Sequence, residues 1–178
     1  MKRTIVLIAV MAVCAGILLA QTPPPAPKPT AEHQKLAAFV GNWTFDGEMK
    51  PGPMGPGGKM TGTDNIQWLG DFYVERRYQG TSPMGAMKGL EIIGYDVGKK
   101  AYTFSVFDSS GMMGVGTGKA TGNNWEFTGT SSMMGKTTQD RCTLTMAADT
   151  KSMNIKCDMS MDGRTWMPAF EGKATKTR

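Results

Sequence analysis

Histidine is almost missing from this chain: His33 is the only one in 178 residues. That removes the usual general base for activating a serine or cysteine, and it leaves no imidazole pair for a zinc site. Clusters of lysine and arginine are also lacking, so nucleic-acid binding has no electrostatic footprint. The glycine stretches carry no Gly-Lys-Ser/Thr signature and no following helix, which excludes a phosphate loop. No spacing singles out a carboxylate pair for acid–base work, and nothing assembles nucleophile, base and oxyanion donors. The sequence therefore assigns no catalytic residue, no metal ligand set and no cofactor. Apart from Ile5 to Leu19 there is no long apolar run.

That run has its own meaning. Lys2 and Arg3 precede it, and Ala20 closes it before polar Gln21. The pattern is that of a secretory signal peptide, too short and wrongly flanked for a stable membrane span. Cys14 lies inside the run after Val13, which disfavours a lipid anchor. Removing residues 1–20 leaves 158 residues, with 18 basic against 15 acidic groups and a net charge of +3. Residues 21–30, "QTPPPAPKPT", hold five prolines and read as an extended tether. The expected organisation is a signal peptide over 1–20, a proline-rich linker over 21–30 and a single domain over 31–178. The expected location is periplasmic or secreted, with no membrane span once the signal is removed. Cys142 and Cys157 are then an even pair in a compartment where a disulfide persists.

What remains is a meander. Thr30 caps a short helix in "AEHQKLAAFV", where Leu36, Phe39 and Val40 share a face and Gly41 stops it. Beyond it apolar residues alternate with a period near two, broken by Gly, Asp and Asn. Ten strands are expected, at 43–50, 59–68, 72–80, 87–95, 101–108, 115–121, 125–132, 136–147, 152–161 and 165–175. Ten consecutive antiparallel strands with an apolar face close most economically into an up-and-down barrel, which leaves no free edge. The fold class is therefore all-β, with the short helix plugging one end.

Turn positions set the register. A tight Asp162-Gly163 hairpin would oppose Met161 to Arg164, Met159 to Trp166, Cys157 to Pro168 and Ile155 to Phe170. A turn centred on Asp149-Thr150 pairs Met146 with Met153, Leu144 with Ile155 and Cys142 with Cys157. Directly opposed cysteines can form a cross-strand disulfide. Two reduced core cysteines are the alternative. Pro168 cannot donate to a ladder, so a bulge or a weakly paired strand is expected there. With Leu69-Gly70-Asp71 as a loop, Trp68 faces Phe72, Ile66 faces Val74, and Asp64 meets Arg76 on the inner face. Such a pair is costly unless well hydrogen-bonded or in contact with water. Arg76 could anchor an anionic ligand group with Asp64 orienting it, or the two could be a structural pair.

Hairpins of a meander alternate between the two ends of the barrel. The loops "PGPMGPGG", "TSPMGA", "SSGMMG" and "SMMG" all fall at one end, opposite the helix. Met54, Met84, Met113 and Met134 mark that rim. Four readings compete: a flexible apolar cap, a hydrophobic mouth for a small ligand, a Cu(I) thioether site and a protein-docking patch. The copper reading would draw on Met84, Met87, Met112, Met113, Met133, Met134, Met159 and Met161. The ligand reading expects a small apolar or anionic molecule in an interior lined or filled by Trp68, Phe72, Tyr102, Phe104, Trp125, Phe127, Trp166 and Phe170.

The segments "EHQKLAAFVGNWTFDGEMKPGPMGPGGKMTGTD", "SPMGAMKGLEIIGYDVGKKAYTFSVFDSSGM" and "MSMDGRTWMPAFEGKAT" resemble an exported bacterial family, domain of unknown function 1579. The likeness covers nearly all of residues 32–175. Gly41-Asn42-Trp43 after a helix is also similar to the Gly-x-Trp opening of lipocalin-like barrels. The resemblance implies a calycin-like barrel with no established activity. It also implies that Trp43 packs at the closed end beneath a basic residue of the last strand, here Lys173 or Lys176. No catalytic residue is carried over. Haem-binding barrels of this kind use a histidine from the wall, and His33 lies outside it.

Overall fold

A computed structural model describes residues 25–53 and 55–177. The signal-like segment 1–20 and Met54 lie outside the described residues. The chain opens with a short helix, α1 (Ala31–Lys35), continued by a 3-10 turn over Leu36–Ala38. Ten strands follow: β1 (Gly41–Met49), β2 (Gly58–Leu69), β3 (Tyr73–Ser82), β4 (Gly85–Asp96) and β5 (Ala101–Asp108). The second half comprises β6 (Met113–Thr121), β7 (Asn124–Met133), β8 (Lys136–Met146), β9 (Ser152–Ser160) and β10 (Met167–Thr177). Each strand pairs antiparallel with its sequence neighbours, and β1 pairs with β10 to close the barrel. The expected fold class and its helix are therefore found, with strand ends moved by a few residues.

Closure follows from the alternation. Trp43 and Phe45 on β1, Ile66 on β2, Val74 on β3 and Ile93 on β4 turn inward. Tyr102 on β5, Trp125 and Phe127 on β7, Met146, Met153 and Ala174 continue that face, and Leu36 and Phe39 complete the core from the helical segment. The loops 70–72, 97–100, 122–123 and 147–151 share the end that α1 covers. The other five, 50–57, 83–84, 109–112, 134–135 and 161–166, gather at the opposite end.

Contacts of the helical segment seal its end. His33 is buried, with Nδ1 3.0 Å from the donating Thr30 N and 2.8 Å from Thr30 Oγ1. Its ring meets those of Phe72 and Tyr95 edge-on at 5.2 and 5.6 Å. Trp43 Nε1 donates to Phe39 O at 2.7 Å, while Lys176 Nζ lies 4.9 Å from the indole centroid and reaches Ala38 O at 3.3 Å. Lys176 thus supplies the basic residue over Trp43, and burial holds its pKa below the ordinary lysine value.

Two registers differ from expectation. The β2–β3 loop is Gly70 to Phe72, so Leu69 pairs Tyr73, Trp68 pairs Val74, Ile66 pairs Arg76 and Asp64 pairs Tyr78. Gly70 takes the left-handed conformation, φ 63°, that moves the turn one residue on. Cross-strand partners slide by two residues, which keeps every side chain on its expected face. The other difference lies at Asp162-Gly163, which is no tight hairpin. Asp162 Oδ1 accepts from Arg164 N at 2.8 Å and Thr165 N at 2.7 Å, so its carboxylate organises a wider loop. β9 and β10 then pair Met159 with Met167 and Cys157 with Phe170, with a register shift between Pro168 and Phe170. The bulge expected at Pro168 is there. The β8–β9 register is as expected, Met146 with Met153, Leu144 with Ile155 and Cys142 with Cys157. Cys142 and Cys157 form a disulfide.

Candidate functional site

The inner wall changes character halfway along. Near the helix it is apolar and closed, with Tyr102, Trp125 and Phe39 packed ring against ring at 4.6–4.8 Å. Tyr102 Oη donates to Glu32 O at 3.0 Å and to Glu32 Oε2 at 2.8 Å, tying β5 to α1. Burial, then the Glu32 hydrogen bond and charge, raise the Tyr102 pKa; Lys35 and then Tyr102 lower that of Glu32. Two residues from Val74 toward the other end, the inward position of β3 is Arg76.

Arg76 carries an inward ion-pair cluster. Its Nη2 donates to Asp64 Oδ1 and its Nη1 to Glu91 Oε2, each at 3.0 Å. The guanidinium lies 4.7 Å from the centroid of the Tyr78 ring. Burial disfavours the arginine charge, but Asp64 and Glu91 outweigh it and hold its pKa above the ordinary value. The Tyr78 pKa is also raised, by burial and by the carboxylates around it, against the lowering effect of Arg76. The Asp64–Arg76 pair read from the sequence is therefore present, as a diagonal contact rather than a direct cross-strand pair. Glu91 is the member that sequence reasoning missed. Pairing β3 with β4 across Pro83-Met84 sets Arg76 opposite Glu91, so the same hairpin arithmetic contained it.

This geometry alters the role open to Arg76. Each terminal nitrogen spends one N–H on a carboxylate, so two carboxylates already balance the single positive charge that a free anion would need. Arg76 Nε and Asp140 Oδ2, on strands from opposite walls, are buried without a partner. On the inner face, phenylalanine rings lie against glycines of neighbouring strands. A Cβ on Gly116 or Gly129 would fall 2.6 or 2.8 Å from Phe104, and one on Gly47 would fall 2.5 Å from Phe170. The absent side chains let these rings lie along the wall.

The other sequence-expected interior residues separate. Phe72 packs on His33 at the closed end, and Tyr102 belongs to that same seal. Phe104 lies deeper in the barrel, 5.8 Å from Phe127. Trp68 is exposed, because it sits at the end of β2 where the wall stops. Trp166 does not line the interior: it precedes β10 and lies beneath Arg141, 4.5 Å from the centroid, where Arg141 also bonds Asp158 at 2.9 Å. The wide Asp162 loop carries it to the outer face.

Among the described residues, the methionines near these tips fall into two groups. Met84, Met113, Met134 and Met161 are exposed, whereas Met133 and Met159 are buried and Met87 packs against the core. Met133 Sδ accepts from Ser110 Oγ at 3.3 Å. Among the described residues no three His, Cys, Asp or Glu side chains come together as metal ligands, and no helix is long and apolar enough to cross a membrane. A shallow groove of about 530 Å³ runs over the outer wall beside Asn42, Thr44, Asn65, Arg77 and Lys88.

Fold and site define a ten-stranded, closed antiparallel barrel, sealed by a helix at one end and carrying a partly charged interior. The chain belongs to the family described as protein of unknown function DUF1579, whose model matches residues 28–176. The crystal structure of Rv2717c from M. tuberculosis is similar in fold, with a TM-score of 0.62 and 14% identity, covering 85% of this chain and 100% of that one. A de novo designed fluorescence-activating β-barrel aligns with a TM-score of 0.45 and 17% identity, covering 84% of this chain and 100% of that one. No curated protein matches.

Proposed function

We propose that this protein is an exported carrier that holds a small, largely apolar molecule non-covalently inside the barrel, entered from the methionine end. One observation carries the reading. Val74 has no exposed surface, yet Arg76, two residues along the same inner face, leaves 28% of its side-chain surface open. An inward-facing side chain in the middle of a closed wall can expose surface only to space within the barrel. Space therefore reaches Arg76 that does not reach Val74, although Tyr78, the next inward residue of β3, is again buried. Phenylalanines laid along glycines, rather than pointed at the axis, support the same conclusion.

Two carboxylates against one guanidinium favour a mainly apolar guest, with Arg76, Asp64 and Glu91 meeting a polar end group rather than a free anion. Phe104, Phe127 and Phe170 supply the apolar lining. Export rests on the signal-like N-terminus and is supported by the Cys142–Cys157 disulfide. Binding rather than catalysis is favoured because, among the described residues, no nucleophile is hydrogen-bonded to a base at the Arg76 cluster.

Native mass spectrometry of protein purified from its own cell envelope tests the proposal. The expected spectrum carries a reproducible extra mass that is lost on denaturation. A bare polypeptide mass from several gentle preparations would overturn it.

A further inference from the structure

The methionines of the open end differ in exposure far more than in position. Met134 is 86% exposed, Met113 49%, Met84 48% and Met161 43%, whereas Met133 and Met159 are 8% and 9% exposed; Met146 and Met153, at the helix end, are buried as well. Met84, Met134 and Met161 stand on loops at one opening, and Met113 begins β6 at the same rim on its outward parity. Met134 occupies the apex of the β7–β8 turn with a left-handed backbone, φ 51°. Met84 lies at the β3–β4 turn, its Sδ 3.0 Å from where a Gly55 Cβ would be.

Thioether oxidation follows access. The sulfur lone pair attacks one oxygen of hydrogen peroxide; an S–O bond forms, the O–O bond breaks, and the leaving hydroxide takes up the proton of the new S–OH group, giving sulfoxide and water. Sulfur is oxidised by two electrons and peroxide is reduced. The product is a polar sulfoxide in place of a flexible apolar chain, and sulfoxide reductases restore it.

We propose that Met84, Met113, Met134 and Met161 form an oxidant-responsive ring at the mouth, whose sulfoxidation closes the barrel to apolar ligands. The proposal rests on the reading of that end as a ligand entrance. Oxidation turns four apolar tips into strong hydrogen-bond acceptors and wets the entrance. The inner methionines stay reduced, so the barrel itself persists and the change is reversible. The exposed ring also intercepts oxidant before it reaches Met133 and Met159.

The test uses the intact protein, limited hydrogen peroxide and the uncharged fluorophore Nile red. Peptide mass mapping should find oxygen first on Met84, Met113, Met134 and Met161, at rates about tenfold above those of Met133, Met146, Met153 and Met159. Nile red affinity should fall about tenfold on oxidation and recover after sulfoxide reductase treatment. A variant carrying Met84→Leu, Met113→Leu, Met134→Leu and Met161→Leu should show no response of its Nile red affinity to peroxide. Equal oxidation of buried and exposed methionines, unchanged affinity after ring oxidation, or a leucine variant as sensitive as the parent would each overturn the proposal. If unoxidised protein does not bind Nile red, the ligand reading falls and the gate falls with it. Binding that survives oxidation removes the gate alone.

Discussion

The two ends of this barrel are built from the same kind of strand but solve different problems. At the helix end, Leu36, Val74, Trp43 and Tyr102 are sealed from solvent, and the polar atoms of the two aromatics find partners, Trp43 Nε1 on Phe39 O and Tyr102 Oη on Glu32. Midway along the wall the inner face holds Arg76, Asp64 and Glu91, and at the far end exposed thioethers stand at the opening. One end stabilises the fold by burial, while the other keeps charge and space at a cost in packing. The difference teaches that apolar burial and buried charge are segregated along the barrel wall.

The sharpest way to break that comparison is to truncate an aromatic at each end. Trp43→Ala removes a buried indole, its hydrogen bond and its contact with Lys176, and should destabilise by about 3–5 kcal/mol in urea unfolding. Phe170→Ala, in the open half, should cost roughly half as much. Equal losses would show that the two halves are packed alike. Arg76→Met comes next, since it leaves the buried Asp64 carboxylate without its cation and should cost about 3 kcal/mol. Reducing the Cys142–Cys157 bridge, which spans 15 residues, should cost about 3 kcal/mol by the chain-entropy relation, read from the urea midpoint with and without reductant.

Smaller effects sharpen the picture. Tyr102→Phe loses the hydroxyl that binds Glu32 and should cost about 1 kcal/mol, localised as faster hydrogen exchange in α1. Asp162 offers a pH test. The Thr165 and Arg164 amides, and then Ser160, hold its pKa well below the usual carboxylate range. A folded-state pKa depressed in this way contributes stability above the unfolded value, and that contribution is lost as pH falls. Wild type should therefore exceed Asp162→Ala in melting temperature at neutral pH, with the gap narrowing below about pH 4. A gap independent of pH would mean that the loop is held by other contacts.

Much of this is legible in the sequence where two constraints meet. The Asp149-Thr150 turn and the alternation of Leu144 and Ile155 together place Cys142 opposite Cys157. The face of Arg76 survives a misplaced loop, because a slide of two residues preserves parity. Asp162-Gly163 misleads because the aspartate side chain competes with the ladder for amide hydrogens, which a turn dipeptide alone does not reveal. The inward assignment of Trp166 fails for that same reason. The glycine-lined wall under Phe104 is hidden, since "GVGTG" gives no apolar alternation and its meaning depends on a ring from the adjacent strand.

A Nile red titration of the freshly purified, reduced-methionine protein at neutral pH tests the hollow-half claim most directly. The account predicts saturable emission at one probe per chain, with native near-ultraviolet circular dichroism retained and competition from the molecule released by denaturing the native adduct. Absence of saturable binding by the folded protein would contradict it, and the methionine end would then be a lid over a filled barrel.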